Sequence, residues 1–451
     1  MQPCNVNLQF LETMKLQIIQ PTHYISPSNR SLHKTKKRSV VNLSLPYLAA
    51  LTPKDWHVTL IDEQLVDVDF AADVDVVAIS TWTMNSLRAY EIADRFRDRG
   101  IPVLMGGPHT FFHEEEAAGH CDAVGMGEGE DIWPVMLTDA AAGSLKKFYR
   151  AGEHHSLEQL PLPRYDLIDP KHYGRFKTYS VQSSRGCPYK CEFCSERLYL
   201  GHKYRYRPIQ EVVEEIKFTG SRNILFADSN FAGNMPHAIE LLEALIPLRL
   251  RWSALWSAHH CKNDRFMDLA QKSGLLHVNI GMESIDAATL ASMNKKANKV
   301  SEYSQILGGL RKRGISYSLN FIFGWDTETE DVFDTTLAFL KEHKVPAAYF
   351  NILTPDKGTP LYDRMKEEDR MTNIDDMSRW PGDRCYIRPK NFSAEILEKK
   401  VWEMNRKFYS YGSMLSRLPL PLTYANIASW VINFDQRGVL RAGSMESFDA
   451  Y

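Results

Sequence analysis

Short apolar runs alternate with helical patterns in the first third of the chain. Five runs are nearly continuous in apolar side chains and are mostly bounded by Gly, Pro, Asp or Ser: residues 16–20, 57–62, 74–80, 102–107 and 123–127. Residues 86–99 place Leu87, Tyr90, Ala93 and Phe96 on one helical face. Apolar strands separated by such helices are typical of a doubly wound parallel α/β sheet, whose ligands bind at the carboxyl ends of the strands.

A second series of strand and helix patterns begins near residue 177. Six candidate strands lie at residues 178–183, 223–227, 251–257, 277–282, 316–323 and 347–353. Helical patterns fill the gaps, at residues 209–218, 238–245, 264–272, 303–313 and 331–342. Six strand–helix repeats predict a partial (β/α)6 barrel of the TIM type, in which chemistry gathers at the carboxyl ends of the strands.

These patterns divide the chain into five parts. We expect an N-terminal extension (1–14), a doubly wound domain (15–150), a linker rich in proline and charge (151–176), the barrel (177–375) and a helical C-terminal region (376–451). The last part contains many aromatic residues, among them Trp380. We interpret these mainly as core, with closure of the barrel mouth or a substrate pocket as the alternative.

Charge and composition narrow the choice of function. The 451 residues include 54 Lys and Arg against 56 Asp and Glu, a formal charge of -2, so nothing indicates general attraction to nucleic acid. No apolar run approaches the length that spans a bilayer, and we expect a soluble cytoplasmic protein. Four of the seven cysteines stand alone and are interpreted as buried small hydrophobes: Cys4, Cys121, Cys261 and Cys385.

The other three cysteines are closely spaced. Cys187, Cys191 and Cys194 lie in the string Arg-Gly-Cys-Pro-Tyr-Lys-Cys-Glu-Phe-Cys. Such a group of thiolates, in a chain without a secretory segment, indicates a metal centre. A four-iron cluster takes one protein sulfur per iron, so three ligands leave one iron open to a substrate or cosubstrate. The alternative is a closed zinc site with His202 as the fourth ligand.

The spacing Cys-x3-Cys-x2-Cys, with Phe193 directly before the last cysteine, resembles the signature of the radical S-adenosylmethionine (radical SAM) enzymes. The resemblance implies that Cys187, Cys191 and Cys194 hold a 4Fe-4S cluster whose open iron is chelated by SAM. Reduction of the cluster then cleaves the sulfonium and gives a deoxyadenosyl radical. The family also needs an electron donor, which is a reductase, a flavodoxin or a ferredoxin.

Polar residues and a glycine follow several barrel strands. The resemblance implies that six residues bind SAM: Phe193, Asp228, Asn230, Ser257, Glu283 and Gly324. Asp228 and Asn230 are assigned to the methionyl part of SAM, and the segment that ends at Gly324 is assigned to the adenine. The alternative for Asp228 and Asn230 is capping of the following helix. His259 and His260 are candidate catalytic residues that face the substrate as proton donors, with a structural role as the alternative.

The first domain raises the question of a second cofactor. The turn at residues 20–23 lacks the glycines of a dinucleotide fold. Segments 78–83, 104–109 and 127–130 resemble instead the cobalamin-binding domain that is fused to many radical SAM enzymes. That resemblance implies that the cobalamin tail lies along four residues: Ser80, Thr83, Gly106 and Gly107. The alternative is a doubly wound domain without a cofactor.

Histidine ligation of the cobalt is not expected. Cobalamin proteins that supply a histidine carry Asp-x-His-x-x-Gly after the first strand, and here only His23 stands nearby, without the aspartate or the glycine. A basic cluster follows: Arg30, His33, Lys34, Lys36, Lys37 and Arg38. We interpret this cluster as a solvated loop, with neutralisation of the cobalamin phosphate as the alternative.

The combined resemblance predicts a cobalamin-dependent radical SAM enzyme that methylates an unactivated carbon. Segments 226–234, 281–285, 293–295 and 354–362 are similar to those of cobalamin-binding radical SAM proteins, including the hopanoid-methylating branch. The substrate is expected to be a lipid, a tetrapyrrole or a natural-product intermediate. Three alternatives stay open: a cobalamin-dependent cyclase or rearrangement enzyme without methyl transfer, a methylthiotransferase, and a zinc- or corrinoid-binding sensor.

Overall fold

The computed structural model describes residues 13–26, 30–152, 154–372, 384–420, 422 and 426–442. Cys4 and Trp380 lie outside the described residues. The chain divides into two compact units, of which the first comprises residues 1–22, 44–153 and 163–170 and the second comprises residues 23–43, 154–162 and 171–451. Within the described part, no helix combines the length and the apolar character needed to cross a membrane.

A six-stranded parallel sheet forms the centre of the first unit. In spatial order its strands are His57–Asp62, Lys15–Gln20, Val76–Ser80, Val103–Gly106, Ala123–Met126 and Phe148–Arg150. The five helices around them are Ser44–Leu51, Ser86–Arg97, Pro108–Phe112, Glu114–His120 and Gly129–Ala141. Two separate apolar clusters cover the two faces of the sheet. The predicted doubly wound sheet is therefore confirmed, with one further strand, Phe148–Arg150, at its edge.

A seven-stranded parallel sheet forms the centre of the second unit. In spatial order its strands are Ala347–Ile352, Ser316–Phe323, Leu275–Glu283, Arg251–Ser257, Asn223–Phe226, Tyr173–Val181 and Arg38–Val41. The first six are the strands predicted from the sequence, and they form an open sheet rather than a closed barrel. The seventh comes from residues that fall inside the range predicted for the first domain.

The helices of the second unit follow its strands. They are Glu196–Tyr199, Ile209–Phe218, Met235–Leu245, Asp264–Lys272, Ala287–Ser292, Tyr303–Lys312, Asp331–Glu342, Pro360–Glu367, Ala394–Phe408, Tyr411–Arg417 and Ile427–Ala442. Two short antiparallel pairs complete the unit: Tyr24–Ser26 with Ser31–Leu32, and Ser184–Arg185 with Arg205–Tyr206. Side-chain caps fix where several helices start, for example Asn263, whose side chain accepts a hydrogen bond from the Phe266 N–H.

The two faces of the larger sheet differ in burial. Trp252 and Trp256 are fully buried on one face, whereas Ser257 at the strand end is only partly buried on the other. The register aligns Ser257 with Gly281, and Gly281 with Asn320. Residues at the carboxyl ends of neighbouring strands therefore share one layer, and the loops that follow them form the candidate site.

Candidate active site

The cysteine loop begins directly after the strand Tyr173–Val181. Gly186 allows the chain to turn, because its φ is +86° and a Cβ there would lie 2.1 Å from the Lys203 carbonyl oxygen. The Cys187 N–H donates to the Gly201 carbonyl at 3.1 Å, and the Cys194 N–H donates to the Cys191 carbonyl at 3.3 Å. The loop therefore folds against residues 200–203 and back on itself.

The three thiols lie on one loop. All three are free and partly buried, and ionisation of Cys187 or Cys191 would disfavour ionisation of Cys194. Burial raises the pKa of each thiol, in the case of Cys194 to about 12. Buried thiols are stable as thiolates only beside a strong positive charge, and a bound metal provides that charge. Three soft sulfur ligands on one loop thus fit an iron–sulfur cluster.

Asp228 fixes the start of the cysteine loop. Its carboxylate accepts hydrogen bonds from the Ser183 N–H at 2.7 Å, from the Ser184 N–H at 3.1 Å and from the Ser183 hydroxyl. Burial raises the pKa of Asp228 to about 6, against the opposing effect of these donors. The helix-cap alternative is wrong, because the following helix begins at Met235 and its cap is Asn234.

Asn230 and the two candidate histidines form a chain with Tyr189 of the cysteine loop. The Tyr189 hydroxyl lies 2.9 Å from His259 Nε2, the rings of His259 and His260 are 3.9 Å apart, and Asn230 Nδ2 lies 3.4 Å from His260 Nε2. Burial lowers the pKa of His259 to about 4 and that of His260 to about 3. Two buried atoms of this chain, Asn230 Oδ1 and His259 Nδ1, have no partner among the described residues.

Glu283 lies at the end of its strand in a left-handed conformation, with φ at 66°. Its carboxylate forms a buried ion pair with Lys295, a residue that was not singled out from the sequence. Gly281 makes room for the pair, because a Cβ there would lie 2.6 Å from Glu283 Oε1 and 2.9 Å from Lys295 Nζ. The same ammonium lies 6.0 Å from the centre of the Phe193 ring. Glu283, Lys295 and Phe193 therefore belong to one site.

Two distant segments clasp the cysteine loop. In the first, the Met293 carbonyl accepts from the Glu192 N–H at 3.1 Å, and Asn294 Nδ2 donates to the Lys190 carbonyl at 2.8 Å. In the second, the Leu361 N–H donates to the Glu192 carbonyl at 3.1 Å. Segments 293–295 and 354–362, noted in the sequence for their similarity to related proteins, thus hold the loop in place.

Gly324 ends the neighbouring strand with φ at +115°. The N–H groups of Gly324 and Trp325 both donate to the buried carboxylate of Glu328, at 2.8 and 3.0 Å. Burial raises the pKa of Glu328 to about 7. The Trp325 ring lies edge-on to Phe193, with their centres 6.1 Å apart. Sequence reasoning missed Glu328, although an acidic residue four positions after a strand-ending glycine is a visible signal.

The residues predicted for cobalamin lie at the carboxyl ends of the central strands of the first unit. Gly107 lies where two of these loops pack closely against each other. Only glycine fits there, because its φ is +107° and a Cβ would lie 2.6 Å from the Thr81 carbonyl oxygen. At Gly106 an added Cβ would meet nothing closer than the Gly125 carbonyl oxygen at 3.8 Å. A Cβ at Gly106 would thus make only an ordinary van der Waals contact, so packing does not require a glycine there, whereas the fold itself requires Gly107.

Thr83 is also predicted to bind cobalamin. Its hydroxyl oxygen lies 3.2 Å from Nδ1 of the buried His109, and Nε2 of His109 lies 2.6 Å from the Tyr90 hydroxyl. Ser80 is buried at the end of its strand. Next to these residues Trp82 is 54% exposed. His23, the histidine considered from the sequence, belongs to the second unit, where its ring lies 4.8 Å from that of His33.

Two protein-family models match the chain, one in each part of the fold. The family model of the Radical SAM superfamily matches residues 181–340, and that of the B12 binding domain matches residues 36–136. Together they define a radical SAM enzyme with a cobalamin-binding domain.

Relatives extend this match over most of the chain. The bacteriochlorophyllide d C-12(1)-methyltransferase of Chlorobaculum tepidum is 30% identical over 404 residues, which cover 87% of this chain and 87% of that protein. The C-8(2)-methyltransferase of the same organism is 28% identical and covers 85% and 88%. The hopanoid C-2 methylase of Rhodopseudomonas palustris is 25% identical and covers 73% and 64%. This chain belongs to the family of cobalamin-dependent radical SAM methyltransferases.

Solved structures share the fold. The radical SAM methyltransferase TsrM of Kitasatospora setae, solved with tryptophan and a SAM analogue, has a TM-score of 0.64 at 17% identity and covers 95% of this chain and 99% of its own. OxsB, solved with aqua-cobalamin and SAM, has a TM-score of 0.67 at 15% identity and covers 94% and 71%. The predicted cofactors, a 4Fe-4S cluster, SAM and cobalamin, follow from the family, and the chain is an enzyme rather than a sensor.

Proposed function

We propose that this enzyme methylates an unactivated side-chain carbon of a chlorophyll-type tetrapyrrole. The observation that carries the proposal is the similarity to two bacteriochlorophyllide d methyltransferases, which extends over at least 85% of every chain compared. A hopanoid-like lipid is less well supported, because the hopanoid methylase matches over only 64% of its own length.

The residues of the chain position the chemistry. When bound, the three cofactors supply a radical that removes hydrogen from the substrate and a methyl group that replaces it. Cys187, Cys191 and Cys194 would hold the cluster. Asp228 and the clasping segments fix the loop that carries these cysteines. Such rigid positioning lowers the barrier of a reaction that depends on the alignment of several reactants.

We assign the contacts to SAM as follows. Asn230 Oδ1, which has no partner among the described residues, is suited to accept a hydrogen bond from the methionyl amino group. Phe193, Ser257, Glu283 and Gly324 keep the SAM-binding roles expected from the sequence. Asp228 acts mainly by positioning, because its carboxylate already accepts three hydrogen bonds from the loop.

His259 and His260 are assigned to hydrogen bonding rather than to acid catalysis. Their lowered pKa values keep both rings neutral at physiological pH, so neither carries a proton to donate as imidazolium. Nδ1 of His259 would meet a polar group of SAM or of the substrate.

We assign Ser80, Thr83 and Gly106 to the slot for the cobalamin tail, in the part of the predicted domain 15–150 that belongs to the first unit. This assignment is supported by Gly106, where protein packing would accept a Cβ, so that the missing side chain is available to a bound tail. Gly107 contributes indirectly, by holding the loop at Thr81. We keep the expectation that no histidine of the chain ligates the cobalt, since both ring nitrogens of His109, the histidine nearest in sequence to this slot, lie within hydrogen-bond distance of protein hydroxyls.

Low-potential electrons would come from a reductase, a flavodoxin or a ferredoxin, and we place the reaction in the cytoplasm. The six cysteines in the described ranges are all free thiols, which suits a reducing compartment.

A second candidate function is ring formation on a tetrapyrrole without methyl transfer. The anaerobic magnesium-protoporphyrin IX monomethyl ester cyclase of Cereibacter sphaeroides is 26% identical over 74% of this chain and 60% of that protein. Its lower coverage makes it the weaker candidate.

The test is an anaerobic assay of the reconstituted enzyme with cobalamin, a low-potential donor, a bacteriochlorophyllide and SAM labelled in its methyl group. We expect deoxyadenosine, S-adenosylhomocysteine and a product that carries one labelled methyl group. The variant Cys191→Ala should form none of these, while Cys385→Ser, whose thiol lies elsewhere, should retain activity. Deoxyadenosine with an unmethylated, cyclised product would support the second candidate, and turnover by Cys191→Ala would refute the cluster assignment.

A further inference from the structure

Tyr204 lies opposite the start of the cysteine loop. The short strands Ser184–Arg185 and Arg205–Tyr206 pair antiparallel, with Ser184 opposite Tyr206 and Arg185 opposite Arg205. Continuing this register by one position places Tyr204 opposite Gly186, the residue before Cys187. The close approach of Gly186 to the Lys203 carbonyl agrees with that placement.

The ring of Tyr204 is held in one place. A Cβ at Gly233 would lie 1.7 Å from its Cζ and 1.8 Å from its hydroxyl oxygen, so the absence of a side chain at Gly233 creates the space that the ring fills. The Tyr206 ring is a further neighbour, stacked with the centres 6.2 Å apart. The ring therefore occupies the space beside Gly233.

The hydroxyl of Tyr204 is buried and makes no hydrogen bond of standard geometry with any residue that the structure describes. A buried hydroxyl without a partner costs free energy, and such groups are rare in native proteins unless a ligand or water completes them. The Tyr204 hydroxyl and the Cys187 thiol are direct neighbours.

We propose that Tyr204 donates its O–H to the Cys187 sulfur when the cluster is bound, and that this hydrogen bond raises the reduction potential of the cluster. Hydrogen bonds to the sulfurs of an iron–sulfur cluster withdraw electron density and favour the reduced state. Tyr204 is thus a positioning residue that acts through Cys187. The inference rests on the proposed cluster site, and it adds a group that controls how readily that cluster accepts its electron.

The experiment compares three full-length proteins, wild type, Tyr204→Phe and Tyr206→Phe, reconstituted with iron and sulfide under anaerobic conditions. Tyr206→Phe is the matched control, because its hydroxyl accepts a hydrogen bond from Asn234 Nδ2 instead of facing a cysteine. Iron content is measured first, and the reduced cluster is then followed by electron paramagnetic resonance during a redox titration.

At the midpoint potential of the wild type, we expect the ratio of reduced to oxidised cluster to fall about tenfold in Tyr204→Phe, a shift of ~59 mV for one electron. Tyr206→Phe should stay within about twofold of the wild type. Equal potentials in all three proteins, or equal shifts in both variants, would overturn the inference. Loss of iron from a folded Tyr204→Phe protein would also overturn the inference, because a hydrogen bond that only tunes the potential is not needed for the cysteines to bind iron. A wild type that binds no cluster would instead count against the proposed function.

Discussion

The buried ion pair of Glu283 and Lys295 gives a test of the site that does not require turnover. Their side chains are 7% and 11% exposed. Two unit charges about 4 Å apart attract each other by ~4 kcal/mol at an effective dielectric constant of about 20. Removing one partner of such a pair leaves the other charge buried, which costs about 3–5 kcal/mol. We therefore expect Glu283→Gln and Lys295→Met each to lower the free energy of unfolding by about 3 kcal/mol.

The double variant Glu283→Gln/Lys295→Met should recover most of this loss. Replacing both members of a buried pair by neutral groups of similar volume is often close to neutral, so we expect a value within about 1 kcal/mol of the wild type. The assay is urea denaturation of the cofactor-free protein, followed by circular dichroism. If the losses were additive, at about 6 kcal/mol for the double variant, the two side chains would not be coupled and the argument would fail.

The remaining predictions concern Glu328 and two glycines. The pKa of Glu328 is about 7 in the fold and ~4.3 in an unfolded chain. The group therefore stabilises the fold fully below about pH 4, and this contribution is lost as the pH rises through about 7. We expect the free energy of unfolding of the wild type, relative to that of Glu328→Gln, to fall by roughly 2–3 kcal/mol between about pH 5 and pH 8. A difference that does not change with pH would contradict the burial of an ionisable carboxyl. Gly106→Val should abolish cobalamin binding, measured by absorbance, with little change in melting temperature, whereas Gly107→Ala should lower the melting temperature because of its clash with Thr81. If Gly106→Val kept cobalamin binding but lost melting temperature, while Gly107→Ala did the opposite, the slot would have to lie elsewhere.

The main elements could be predicted because their signals are local. The strand Val76–Ser80 is buried at every position, and the helix Ser86–Arg97 follows it with one apolar face. Two strands of the large sheets escaped prediction, Phe148–Arg150 and Arg38–Val41, which are three and four residues long and bury one residue each. A run that short carries too little periodicity, and only its neighbours in the sheet make it a strand.

The candidate site was only partly visible in the sequence for a related reason. The three cysteines are close along the chain, so their spacing alone was enough to predict a cluster site. Asp228 meets Ser183 across 45 residues, and Lys295 meets Glu283 from the following loop. Tyr204 lies beside Cys187 only because two short strands pair. Sequence reasoning placed Asp228 and Glu283 at strand ends correctly, but what each carboxylate contacts depends on packing.

The clasp on the cysteine loop has a consequence for how the enzyme is made. Backbone groups of Lys190 and Glu192 are held by Met293, Asn294 and Leu361, the last of which is more than 160 residues downstream of Cys194. While the nascent chain is being synthesised, the three sulfurs emerge long before the segments that secure them. Iron delivered at that stage would meet a loop without these hydrogen bonds, so we expect stable assembly of the metal centre only after translation has passed Leu361.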